Sequence, residues 1–142
     1  MESINHFLSR ATSYVSAAAP VTPELLAFVA DYKAQTARNP FAPRMRVWND
    51  SVGFELSVFV GRISLGFVVS LMEKGTGNAS KAMMWLVSLA DKHQVVMELD
   101  VSPVKQAGAK NSRSLSTPEL RKFYAKFGFK KSGPELMVRN PT

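Results

Sequence analysis

None of the 142 residues is a cysteine. That absence excludes a disulfide framework, a thiolate metal site and a cysteine nucleophile together. No apolar run approaches the ~20 residues that a membrane-spanning helix needs. The first residues, with Glu2 and Arg10 among them, lack the uninterrupted apolar stretch of a secretory signal. The expectation is a soluble, cytoplasmic protein with no membrane partner. At 46% hydrophobic content the chain can build one real core but not two. It is therefore read as a single domain, 1–142.

Acidic residues are also scarce. Eleven Asp and Glu face 18 Lys and Arg, a net charge of +7 that favours an anionic ligand or partner. Nucleic acid, an acidic protein and coenzyme A all qualify. The basic residues are scattered from Arg10 to Arg139, with one denser stretch holding Lys105, Lys110, Arg113, Arg121, Lys122, Lys126, Lys130 and Lys131. Scatter of this kind disfavours nucleic acid, and the dense stretch reads equally well as a solvated face.

The periodicity changes along the chain. Ile4, Phe7, Leu8, Ala11 and Val15 recur at helical spacing up to Pro20, and Thr22-Pro23-Glu24 is a helix start with a capping hydroxyl and a proline at the first helical position. Leu25, Leu26, Phe28, Val29 and Tyr32 supply the second helix's buried stripe. Residues 1–38 are expected to be purely helical. The prolines of Asn39 to Pro43 enforce an extended or turning segment.

A period of two follows in Arg44 to Trp48, Phe54 to Val60 and Ile63 to Val69, separated by Asn49-Asp50 and Gly61-Arg62, and predicts a three-stranded antiparallel meander. Ile63, Leu65, Phe67 and Val69 should share one face, with Ser64, Gly66, Val68 and Ser70 on the other. Gly66 in mid-strand predicts a bulge or the close approach of another group. Ala79, Ala82, Met83, Leu86, Leu89 and Ala90 mark a further helix, and Gln94 to Val101 a further strand. Strand, helix and strand form a βαβ unit whose two strands should be parallel neighbours.

Inside that unit lies Lys74-Gly75-Thr76-Gly77-Asn78-Ala79-Ser80, between a strand and a helix N-terminus. Glycines let the backbone approach an anion, and the free N–H groups and positive dipole end of the helix suit a phosphate. A Walker loop would need glycine and Ser or Thr where Ser80 and Ala82 stand. A dinucleotide fingerprint would need a third glycine at Ser80 and a first βα turn rather than a position after a meander. A glycine-rich turn with no ligand remains the plain alternative.

This loop and the C-terminal third together resemble the GCN5-related N-acetyltransferase family. Lys74-x-x-Gly77-x-Ala79 stands in place of its Arg/Gln-x-x-Gly-x-Gly/Ala loop, and Leu120 to Phe129 is similar to its helix ending in Tyr-x-x-hydrophobic-Gly-Phe, after the strand ending Leu99-Asp100-Val101. The likeness spans 44–139. Departures are Lys74 for the usual Arg or Gln, Thr117 for a frequent asparagine, the missing opening strand and the insertion 102–116. The resemblance implies an α/β (α+β) fold: a mixed, mostly antiparallel sheet with a central βαβ unit, flanking helices and a helical N-terminus.

It also implies transfer of an acetyl group from acetyl-CoA to an amine, without a metal. Tyr124 would then be the acid that protonates the departing sulfur, although Leu120, Phe123, Tyr124 and Phe127 read on periodicity alone as a buried stripe. Asp100, or secondarily Glu98, would be the base; the two alternate with apolar residues and lie on one strand face, which a solvated face would also explain. Val69, Ser70 and Leu71 would pair with the pantetheine arm, the N–H of Val69 or Leu71 serving the oxyanion. Lys74, Gly75, Thr76, Gly77, Ala79 and Ser80 would hold the pyrophosphate. Neither His6 nor His93 is placed for catalysis. The acceptor, on charge complementarity with the basic 105–116 stretch, would be a protein or peptide, and the chain a monomer or homodimer. The rival reading is a non-catalytic module that binds a protein or nucleic acid through its basic face.

Overall fold

The structure, a computed structural model, describes residues 21–71, 77–101 and 116–142. The helix expected over Ile4 to Val15, the loop residues Lys74, Gly75 and Thr76, and most of the 102–116 insertion lie outside the described residues. Three helices, α1 (Pro23–Gln35), α2 (Asn78–His93) and α3 (Thr117–Ala125), accompany seven strands: β1 (Thr36–Arg38), β2 (Arg46–Trp48), β3 (Val52–Phe59), β4 (Arg62–Ser70), β5 (Met97–Asp100), β6 (Lys130–Lys131) and β7 (Leu136–Arg139). They form one sheet in the order β1-β2-β3-β4-β5-β7-β6. Every pairing is antiparallel except β4 with β5. This is the mixed, mostly antiparallel architecture with a central βαβ unit that the sequence led us to expect.

Local chemistry accounts for the boundaries. Thr22 Oγ1 accepts from Leu25 N at 3.2 Å, with Pro23 at the first helical position. Ser116 and Glu119 form a reciprocal capping box on α3. The purely helical reading of 1–38 needs correction, because Thr36–Arg38 extends and pairs with β2, making the meander four-stranded. Arg46 secures that edge by donating to Thr36 Oγ1, Thr36 O and Lys33 O. The hairpin between β3 and β4 turns on Val60 and Gly61 rather than Gly61 and Arg62, both turn residues having positive φ. Asn49 and Asp50 do the same before β3, with residues that tolerate the left-handed region.

Directly opposed residues share a face, so the register assigns the side chains. Val52, Phe54, Leu56 and Val58 of β3 are buried with Ile63 and Leu65 of β4, Met97 and Leu99 of β5, and Met137 of β7. All three described helices cover this face. Tyr32 of α1 and Trp85 of α2 stack at 6.2 Å between ring centroids, and Trp85 lies 5.6 Å from Trp48 and 6.1 Å from Phe54. Tyr124 of α3 meets Phe129 at 5.9 Å. The opposite face carries Glu55, Ser57, Ser64, Glu98, Asp100 and Val138, none of them fully buried.

Two polar ties hold the helices. Asp31 of α1 accepts from Lys92 and Gln35 and lies 2.9 Å from His93 Nε2, so these three α2 and α1 partners hold its carboxyl far below the usual carboxylate range. His93 is thereby structural. Arg139, buried on the helix face, makes a bidentate pair with Asp91 at 2.7 and 2.9 Å and donates through Nε to Phe127 O at 2.7 Å. One guanidinium thus joins β7, the end of α2 and the turn after α3.

Three stability outcomes follow. Asp91→Ala leaves that guanidinium buried without its counter-charge and should cost about 2 kcal/mol, lowering Tm by several degrees. Arg139 and Thr142 hold the Asp91 carboxyl below its ordinary pKa. The unfolded chain therefore binds more protons in acid, and the Asp91 contribution to stability, complete above about pH 5, should be lost as pH drops through ~4. Denaturant titrations of wild type and Asp91→Asn across that range check this, the variant showing the shallower fall. Val60→Asn should stabilise by about 1 kcal/mol, because a β-branched residue is strained at φ 51°.

Candidate active site

The site is built around a single inserted residue. From Val58↔Ile63 to Leu56↔Leu65 the hairpin is regular, but the next opposed pair is Glu55↔Phe67, so Gly66 is an extra residue on β4. This is the bulge that a mid-strand glycine predicted. It reverses the faces beyond it. Val68, opposite the fully buried Phe54, packs against the core, and Phe67 and Val69 turn to the open face. The expected grouping of Ile63 and Leu65 with Phe67 and Val69 is therefore corrected.

The bulge also marks where β4 and β5 separate. Their pairing runs from Ile63↔Met97 to Leu65↔Leu99 and stops, although β4 continues to Ser70. Beyond that point each strand stays with its other neighbour. Leu71 N donates to Ser51 O at 2.7 Å, and Val101 N to Glu135 O at 2.7 Å. A V-shaped gap results, bounded by Phe67 to Ser70 on one side and Asp100 and Val101 on the other.

That geometry corrects the expected oxyanion donor. The Leu71 N–H is spent on Ser51, and the alternation of the antiparallel ladder turns the Val69 N–H toward β3 as well. The amides turned toward the gap are those of Val68 and Ser70. Strict alternation along β4 turns the other set of amides to the gap, because a bulge shifts the hydrogen-bonding side along with the side-chain face.

Gly77 caps α2 in the left-handed region (φ 76°, ψ 11°), with no side-chain cap and, among the described residues, nothing within 4 Å of where a Cβ would stand. Ala79 and Ser80, in the first helical turn, are half-buried. The start of this 16-residue helix offers backbone N–H groups and open space together, which suits a phosphate. Lys74, Gly75 and Thr76 lie outside the described residues.

Tyr124 sits on the helix face, 1% exposed and edge-on to Phe123 and Phe129. Burial pushes its phenol well above the ordinary tyrosine range. Glu98 and Asp100 lie on the opposite face. Glu98 is ion-paired with Arg62 at 3.3 Å, at the start of β4 and away from the gap. Asp100, the last residue of β5, stands where the strands separate. The sheet thus divides the acid candidate from both base candidates, and the gap is the opening between the two sides. Among the described residues no group of His, Asp and Glu could hold a metal ion, and no helix is long and apolar enough to cross a membrane.

One carboxylate at the gap escaped the sequence reading. Glu55 lies with its carboxyl group in the space a Gly66 Cβ would occupy, its Cδ 3.2 Å from that position. The signal was present: counting back from the hairpin turn, where Phe59 opposes Arg62, places Gly66 level with Glu55.

The buried phenol gives a direct test. In a spectrophotometric titration of the folded protein, the difference between wild type and Tyr124→Phe should show no ionisation step near pH 10. Because the unfolded chain loses this proton near pH 10 and the native chain keeps it, Tyr124 lowers stability as pH rises above 10, and Tyr124→Phe should flatten that loss.

No protein-family model matches the sequence, and no curated protein matches it. Among solved structures the chain is similar to the crystal structure of the anti-CRISPR protein AcrVA5. The match has 17% identity and a TM-score of 0.49, and covers 65% of this chain and 93% of that one. A likeness at that identity and score assigns neither activity nor substrate.

Proposed function

We propose that this chain is an N-acetyltransferase that moves the acetyl group of acetyl-CoA to an amine on a protein or peptide. The observation that carries this reading is the gap between β4 and β5, which opens beside an uncapped helix N-terminus with Tyr124 on one side of the sheet and Asp100 on the other. The residues suit the co-substrate: Gly77 leaves open space at the start of α2, and the β4 edge from Phe67 to Ser70 is not paired with β5. When bound, acetyl-CoA supplies an activated thioester carbonyl.

In this reading Gly77, Ala79 and Ser80 receive the pyrophosphate, together with Lys74, Gly75 and Thr76, and the β4 edge takes the pantetheine arm on the side to which Val68 and Ser70, rather than Val69 and Leu71, turn their backbone groups. The Val68 N–H, turned toward the gap, replaces those of Val69 and Leu71 as donor to the carbonyl oxygen. Asp100 takes a proton from the attacking amine, directly or through water. Glu98 is second to it, being already paired with Arg62. Tyr124 keeps its proton throughout the physiological range and donates to the sulfur as it leaves.

A second reading, a non-catalytic module that binds a protein or nucleic acid, has one observation in its favour. Lys122, Lys126, Lys130 and Lys131 are all exposed, and among the described residues none of them forms an ion pair.

Thermal unfolding with and without acetyl-CoA separates the two, with NAD and ATP as controls. At about 100 times its dissociation constant acetyl-CoA should add roughly 2.7 kcal/mol, a rise of several degrees in Tm. Gly77→Glu should abolish the shift. Tyr124→Phe should keep it while lowering acetyl transfer about 100-fold; normal turnover by that variant removes the acid role. No shift with any nucleotide, alongside nucleic-acid binding that weakens steeply with salt, favours the module.

A further inference from the structure

The carboxylate that neither the mechanism nor the fold employs is Glu55. Its position is unusual for an acidic residue in the middle of a sheet. β3 is a central strand, and Glu55 is half-buried on the open face, the only charged residue of that strand. Its side chain lies across β4 into the space that Gly66 leaves empty, with Cγ, Cδ and one carboxyl oxygen all in contact distance of the missing Cβ. Among the described residues none donates a hydrogen bond to it and no cation pairs with it, whereas Glu98, on the same face, is held by Arg62.

The register says where this carboxylate points. Gly66 follows Leu65, whose partner on β5 is Leu99, so the residue level with Gly66 across the gap is Asp100. Glu55 and Asp100 flank Gly66 on the open face from the two neighbouring strands. The lean of Glu55 over a residue with no side chain shortens the distance between the carboxyl group and the gap. Any side chain at position 66 would stand in its way.

We propose that Glu55 is a substrate-binding residue that receives the charged ammonium group of the acceptor. The acceptor is then a cationic primary amine, such as a lysine side chain, approaching from the face opposite Tyr124. This rests on the acetyltransferase reading and adds the acceptor's chemistry to it. A half-buried carboxylate to which no described residue donates is poised for a charge-assisted hydrogen bond. It holds the nitrogen beside Asp100 as the ammonium, and Asp100 takes the proton that makes it a nucleophile. Glu55 itself transfers no proton; it governs binding rather than the chemical step.

The test compares two amines with wild type, Glu55→Gln and Gly66→Ala. Butylamine is protonated at neutral pH; hydroxylamine is small and largely uncharged. Acetyl transfer is followed by the release of coenzyme A thiol, and acetyl-CoA binding by thermal shift. Glu55→Gln should raise KM for butylamine about 10- to 100-fold with kcat nearly unchanged, leave hydroxylamine kinetics nearly unchanged, and keep the acetyl-CoA shift. Gly66→Ala, whose Cβ would meet only the flexible end of Glu55, should fold and raise the same KM by displacing the carboxylate. An unchanged butylamine KM in Glu55→Gln overturns the assignment, as does a wild type that binds acetyl-CoA and acetylates neither amine. Absence of an acetyl-CoA shift in the wild type sinks instead the acetyltransferase reading on which the inference depends.

Discussion

The bulge at Gly66 is the constraint on which the rest of this structure depends. A single extra residue on β4 shifts the register between Glu55 and Leu56, and three things change at once. Side chains exchange faces, so Val68 completes the core beside Phe54. The amides that faced β3 now alternate with those that face β5. The pairing of β4 with β5 also ends there, because a strand whose hydrogen-bonding phase has shifted and whose twist has increased cannot stay in register with a straight neighbour. The gap is a consequence of that geometry and needs no separate device to hold it open.

Separating two central strands has a stability cost, since backbone groups along Phe67 to Ser70 forgo a strand partner on one side. The fold offsets this by keeping each strand anchored on its outer side, β4 to β3 through Leu71 and Ser51, and β5 to β7 through Val101 and Glu135. Below the bulge, Ile63 and Leu65 against Met97 and Leu99 make a fully buried junction. On the helix face, Arg139 joins β7 to α2 and to the end of α3, so that the two halves of the sheet cannot swing apart independently of the helices. The walls of the gap are thus each tied on their outer side.

The same separation organises the chemistry. A sheet is a two-sided wall, and residues alternating along a strand can reach only one side of it. Tyr124 belongs to the helix side, where burial keeps the phenol protonated. Asp100, Glu98 and Glu55 belong to the open side, and none of them is fully buried. In the proposed reaction, donor and acceptor enter from different faces and meet in the opening. That arrangement lets one site hold an acid and a base of very different character without the two neutralising each other.

Much of this was legible in the sequence. Local signals decide the helix starts at Thr22-Pro23 and Ser116 to Glu119, the meander, the parallel crossover and the glycine at 66, because each depends on residues a few positions apart: a cap, a proline, a period of two or 3.6. The short edge strand at Thr36–Arg38 was not legible, since it forms only when Arg46 from ten residues away binds Thr36. Nor was the direction of the Val69 and Leu71 amides, which a bulge reverses without altering any residue's own propensity. Composition and spacing determined by themselves the positive charge, the α+β pattern of helices and strands, and the apolar stripe that buries Tyr124. Only the tertiary structure decided that Tyr124 and Asp100 stand on opposite faces and that Glu55 fills the place of an absent side chain, because faces and contacts are set by register between strands, and register belongs to pairs of strands and not to either one.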